Sequence, residues 1–229
     1  YRSWTRGQSV ISSYLDLADH QSALHPNINT CGAQTGRESC SDPNLQNVER
    51  EGVLLNPYPV PARKCFRPRP GYVNFHVDYA GIELRILVHY SGDERMIQCL
   101  NTEGGDVHSL AAEVFYGERF IKANDQERKA LRGAAKNANF AIPYGAGAVK
   151  VGETLGLTSQ EAKVRFQAYR QLFPGLVGLS GTVAKEVVAS GFTTTVFGRR
   201  LYVPKEDAYV GTNYKVQGTA AEILKRAQV

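Results

Sequence analysis

Residues 132–145, RGAAKNANFAIPYG, set Arg132, Lys136, Phe140 and Tyr144 four positions apart. Four-residue steps keep side chains on one slowly rotating face of a helix. At about 1.5 Å of rise per residue, the four span roughly 18 Å of helix axis. Two cations at one end of that face suit phosphate groups, and two aromatic rings at the other suit a planar base. The same spacing also describes an ordinary helix whose Arg and Lys are solvated while Phe140 and Tyr144 enter a core. Pro143 lacks an amide hydrogen and its ring crowds the carbonyl of Asn139, so the helix is expected to kink or end immediately before Tyr144.

Working outward, the pattern upstream changes period. Val73, Phe75 and Val77 alternate with Tyr72, Asn74 and His76, which predicts a half-buried strand ending at Asp78. Ile82, Ile86 and Tyr90 then recur at helical spacing until Ser91-Gly92. Asp78 therefore falls at a strand-to-helix junction, where a carboxylate can hold a metal ion or cap the following helix. Further helices are predicted at Val107 to Tyr116, at Gln126 to Pro143, after the capping box of Thr158 and Glu161, from about Leu179 to Gly191, and in Thr219 to Gln228. A hairpin is predicted over Thr193 to Val203, turning near Gly198, with Val196, Leu201 and Val203 on its apolar side. The first seventy residues are rich in Asn, Ser, Gly and Pro and read mostly as loops. Helices inserted between strands predict an α+β architecture, a mainly helical lobe on a small sheet.

Composition narrows the classes. The 229 residues are 42% hydrophobic, enough for a sizeable core, and no apolar run approaches the length of a membrane span. No signal-peptide pattern stands near Tyr1, so a cytoplasmic protein is expected. Cys31, Cys40, Cys65 and Cys99 show no CxxC spacing, which argues against a zinc site or disulfide framework and for reduced thiols. A net charge of +5 permits a polyanionic partner. Arg63, Lys64, Arg67 and Arg69 form a local basic cluster in an extended, proline-marked connector.

The RxxxKxxxFxxxYG pattern resembles motif B of family A DNA polymerases, the nucleotide-binding helix of the fingers. Three other segments resemble the same family in the same order. Thr35-Gly36-Arg37 with Ser41 to Asn47 (SDPNLQN) resembles its TGR and S-x-PNLQN stretch. Asp78 to Arg85 (DYAGIELR) resembles motif A, DYSQIELR, and Val216 to Glu222 (VQGTAAE) resembles the VQGTAAD run before motif C. Ala80-Gly81 in place of Ser-Gln is similar to phage-type relatives.

The resemblance implies the α+β palm and fingers of a right-hand polymerase: residues 1–85 as the end of the thumb and palm with motif A, 86–205 as the fingers, and 206–229 as the return to the palm. It implies template-directed nucleotidyl transfer from a dNTP to a primer 3′-hydroxyl, with two Mg2+ ions. Asp78 is then the catalytic metal ligand. Glu83 is the steric gate against a ribose 2′-hydroxyl, and Arg132, Lys136 and His108 contact the triphosphate. Phe140 packs on the incoming nucleotide, and Tyr144 stacks where the templating base waits. Arg37, Gln46, Asn47, Asn213 and Gln217 are the implied DNA contacts. A solvated surface role for Glu83 and a structural role for His108 are the plainer alternatives. The expected partners are primer-template DNA and dNTPs, the expected state is a monomer, and the expected setting is the cytoplasm of a bacterial or phage-infected cell. Both ends read as cut, with the motif C carboxylate expected beyond Val229, so the fragment is expected to be inactive alone. A single-subunit RNA polymerase and a non-catalytic DNA-binding relative are the competing readings.

Overall fold

The computed structural model describes residues 12–48 and 62–228 and divides the chain into two compact units, Tyr1–Tyr79 and Ala80–Val229. In the first unit, β1 (Asn27–Asn29) and β2 (Ser39–Ser41) form an antiparallel ribbon in the register Asn27 to Ser41 and Asn29 to Ser39. Cys40 is buried there, its Sγ donating to the Pro43 carbonyl at 3.3 Å. A 3-10 turn follows at Leu45–Asn47, where the Asn44 side chain accepts from the Gln46 amide at 3.1 Å. A second such turn lies at Ala62–Cys65.

The predicted strand over Tyr72 to Val77 is not formed. The segment pairs with no described strand, and Val73 and Phe75 are each 88% exposed. Alternation supplies one apolar face, but a strand also needs a neighbour for its amides and carbonyls and a core beneath it.

The second unit is mainly helical. Its elements are α1 (Ile82–Ser91), α2 (Glu94–Asn101), α3 (Val107–Tyr116), α4 (Glu118–Lys122), α5 (Asp125–Ala141), α6 (Ala148–Leu155), α7 (Ser159–Leu172) and α8 (Pro174–Ser190). The hairpin of β3 (Phe192–Thr194) and β4 (Arg200–Tyr202) then leads to α9 (Gly211–Ala227). Helix α3 packs on α5, α6 on α7, and α8 on both α1 and α9. The shared core contains Leu87, Met96, Phe115, Tyr169, Phe173, Leu176, Val183, Val187 and Val216, all nearly inaccessible. Phe115 stacks flat on Tyr169 with ring centroids 4.7 Å apart, and Tyr169 meets Phe173 at 4.9 Å.

Local side-chain caps set the starts of three of these helices. Asp106 caps α3 by accepting from the His108 amide, and Asn124 caps α5 by accepting from the Glu127 amide at 2.9 Å. The Thr158–Glu161 capping box opens α7 as expected. Helix α5 stops at Ala141, before Pro143, and a 3-10 turn carries Ile142–Tyr144 to Gly145, whose φ of 97° ends it.

Helix α8 departs from expectation by starting at Pro174, not near Leu179. Proline suits a first helical position. The free amides of Gly175 and Leu176 donate to the Asp93 carboxylate at 3.2 and 2.7 Å. That cap comes from a distant stretch of chain, so no local signal announces it. Gly175 is required here, because a Cβ would lie 2.0 Å from the Ser91 carbonyl oxygen.

The hairpin turns at Gly198 (φ 85°), and Leu201 and Val203 face inward as expected. Val196 does not: it lies in the turn and is 45% exposed. No single helix among the described residues is long and apolar enough to cross a membrane. No two of the four cysteines are joined by a disulfide.

Candidate functional site

The centre of the second unit's candidate site is the contact of α3 with α5. Arg132, Lys136 and Phe140 lie on α5, with Lys136 exposed and the other two half-buried. His108 stands in the first turn of α3, and its ring lies 5.7 Å from that of Phe140. Burial lowers the His108 pKa from its ordinary value. The Asp106 charge opposes this, and the Arg132 and Lys136 charges add to it. The four residues named from sequence are therefore one neighbourhood: two cations, an imidazole and an aromatic ring.

Asp106 organises that neighbourhood. Its carboxylate accepts from the His108 amide at 3.1 Å, from the Ser109 hydroxyl at 2.6 Å, and from Arg132 through Nε and Nη2 at 2.5 and 3.0 Å. Burial pushes this carboxyl upward. The hydrogen bonds from Arg132, Ser109 and the His108 amide outweigh it, together with the Arg132 charge, and hold the pKa at about 2. The fork is thus fixed in orientation while its side chain stays 43% exposed.

Behind His108 sits Asn139, which is fully buried. Its Nδ2 lies 3.3 Å from the Val107 carbonyl and 3.4 Å from His108 Nδ1, and the Tyr169 hydroxyl donates to its Oδ1. Sequence reasoning missed Asn139 and Tyr169, since neither carries a spacing signal. The role of Asp106 and its pairing with Arg132 were missed as well.

At the end of α5, Tyr144 is half-buried in the 3-10 turn. Burial, with a contribution from the Glu83 charge, pushes its phenol up to about 12. Glu83, in the first turn of α1, is therefore close enough for its charge to act on Tyr144. On α9, Gln217 Nε2 donates to Asn213 Oδ1 at 2.9 Å, so these two form a pair one helical turn apart. Nearby, the Thr219 hydroxyl meets the Tyr90 hydroxyl at 2.7 Å and accepts from the Val196 amide at 3.4 Å.

In the first unit, Arg37, Gln46, Asn47 and Asp78 are all exposed. Gln46 Nε2 donates to the Glu38 carbonyl at 3.3 Å, tying the 3-10 turn to the residue just before β2. Helix α1 begins at Gly81 in a left-handed conformation with no side-chain cap, so the capping role open to Asp78 in sequence is unused. Among the described residues, no three His, Cys, Asp or Glu side chains are grouped to hold a metal ion.

Comparison with known proteins points to one family. A family model described as DNA polymerase family A matches residues 1–229. The chain is 33% identical over 244 residues to the thermostable DNA polymerase I of Thermus aquaticus, covering 100% of this chain and 28% of that protein. It is 31% identical over 221 residues to the DNA polymerase of Mycobacterium phage D29, covering 96% and 34%. Among solved structures, the POL domain of Pol1 from M. smegmatis, in complex with DNA primer-template and dNTP, superposes with a TM-score of 0.78 at 28% identity. That match covers 96% of this chain and 39% of the other. The chain spans well under half the length of these relatives. Matched to the family model along its whole length, with motif-bearing helices in a fold shared with a polymerase domain, the chain belongs to DNA polymerase family A.

Proposed function

We propose that this chain supplies the deoxynucleotide-binding surface, and part of the DNA-binding surface, of a template-directed DNA polymerase. The observation that carries this reading is the neighbourhood of His108, Arg132, Lys136 and Phe140 at the α3–α5 contact. In the reaction, a primer 3′-hydroxyl attacks the α-phosphorus of a dNTP and pyrophosphate leaves, a step helped chiefly by alignment and charge neutralisation. Arg132 and Lys136 bind and neutralise the triphosphate, and His108 adds a third donor. Phe140 holds the sugar and base by packing. Glu83 and Tyr144 bound the far end, where a ribose 2′-hydroxyl meets Glu83.

Arg37, Gln46, Asn47, Asn213 and Gln217 are the proposed primer-template contacts, and a monomer is the proposed working state. The Gln217–Asn213 pair suits minor-groove acceptors, which occupy the same positions in every base pair. Asp78 is the proposed ligand for a magnesium ion, whose chemistry asks for oxygen donors.

The test is calorimetric titration of the 229-residue chain with dATP. Hydrogen bonds to charged groups contribute about 1.5–3 kcal/mol each. Arg132→Ala and Lys136→Ala should each weaken dATP binding by roughly 10- to 100-fold. Lys129→Ala, an exposed cation on the same helix, should leave it unchanged. Affinity unaffected by either of the first two variants would make this an ordinary solvated helix face.

A further inference from the structure

Asn139 is a fully buried amide in direct contact with His108, the third proposed phosphate donor. We propose that Asn139 is a positioning residue that fixes the tautomer of His108, keeping the ring's proton on Nε2 so that the imidazole donates to an anionic oxygen. This role rests on the reading that His108 faces the triphosphate, and it adds how that donor is prepared.

One group in the cluster has no choice of role. A backbone carbonyl only accepts, so the amide end that lies 3.3 Å from the Val107 oxygen is the NH2 end. The opposite end is then the carbonyl oxygen, and the Tyr169 hydroxyl must donate to it. Tyr169 is fully buried, and burial together with the Asp93 charge raises its pKa, so its proton stays in place for that bond. The Asn139 NH2 also lies 3.4 Å from His108 Nδ1, and an amide nitrogen does not accept, so within this pair the NH2 donates. A nitrogen that receives a hydrogen bond carries a lone pair, so in the neutral ring the proton sits on Nε2.

Protonating Nδ1 as well would set two donors against each other in a buried place. The surrounding charges agree: Arg132 and Lys136 oppose a cationic ring, and Asp106 alone favours one. The charge at this surface is therefore left to Arg132 and Lys136, and His108 contributes a directional donor.

The experiment uses the full 229-residue chain labelled with 15N in its histidine rings. Two-bond proton–nitrogen correlation spectra at neutral pH distinguish the tautomers, and His108→Gln identifies which of the five histidines is being read. The expected result is a non-protonated Nδ1 and a protonated Nε2. A non-protonated Nε2, or a doubly protonated ring, overturns the proposal without any other variant. Asn139→Asp presents an oxygen where the NH2 stood, and it should move the proton to Nδ1 or charge the ring; an unchanged Nε2–H signal in a folded variant also overturns the proposal. If Asn139→Asp does not fold, the spectrum of the unmodified chain decides. Addition of inorganic tripolyphosphate should then shift the Nε2 and its proton signals. If the Nε2–H tautomer is found but those signals stay still while tripolyphosphate binds, the Asn139 role stands and the triphosphate reading of His108 falls.

Discussion

Replacing Asp106 with Asn removes the charge that holds Arg132 but keeps an oxygen for the cap of α3. Holding this carboxyl at about 2 instead of 3.8 is equivalent to about 2.4 kcal/mol of preference for the ionised form. The two side chains of the ion pair are 30% and 43% exposed, and solvent screening leaves about half of that value, roughly 1 kcal/mol. Asp106→Asn should therefore destabilise the folded chain by about 1 kcal/mol at pH 7. Asp106→Ala loses the cap as well and should cost about 1 kcal/mol more.

The pH dependence has a definite direction. The folded-state pKa lies below the unfolded one, so the ionised form's contribution is fully present above about pH 4 and is lost as the pH falls toward 2. The gap between wild type and Asp106→Asn should close across that window. Urea unfolding followed by far-UV circular dichroism at several pH values measures it. A double-mutant cycle with Arg132→Met isolates the pair, and because Ser109 and the His108 amide share the carboxylate, a coupling somewhat below about 1 kcal/mol is expected. A stability gap that stays constant from pH 7 to pH 2, or a coupling near zero, would show that the Asp106–Arg132 pair contributes nothing to the fold.

Two further expectations follow from geometry. Gly175→Ala drives a methyl to 2.0 Å from the Ser91 carbonyl and should destabilise by about 1–3 kcal/mol, whereas Gly178→Ala, in open space on the same helix, should stabilise by about 0.5–1 kcal/mol; equal effects in urea unfolding would contradict the close approach. Glu83→Gln should lower the Tyr144 phenol from about 12 while burial keeps it above 10, as read by 13C-tyrosine titration, and an unmoved value would mean that the Glu83 charge does not act on Tyr144.

What the sequence disclosed, it disclosed where causes are local. Thr158 with Glu161, Pro143 just past α5 and Gly198 in the hairpin each act within a few residues, and each does what its chemistry requires. The four-residue spacing from Arg132 to Tyr144 likewise exposed the helix proposed to face the nucleotide, because a helix turns spacing into a face. What stayed hidden depends on partners far along the chain. The start of α8 is fixed by Asp93, the orientation of Arg132 by Asp106, and the buried amide of Asn139 by Val107 and Tyr169. None of those pairings leaves a mark in local composition. The alternation over Tyr72 to Val77 misled for the complementary reason: its period states which side chains share a face, not what covers them.

That stretch also decides how the isolated chain behaves in a tube. Tyr72, Val73, Phe75 and Val77 are each more than 70% exposed in a segment that forms no ladder with any described strand. An apolar, unpaired edge of this kind is a template for another copy of itself, and β-branched and aromatic residues favour that pairing. Pro70 and Gly71 on one side and Asp78 on the other interrupt it, in the manner of gatekeeper residues that limit growth along the edge. Self-association should therefore rise with protein concentration, and a charge placed at Phe75 should suppress it without touching the helical unit.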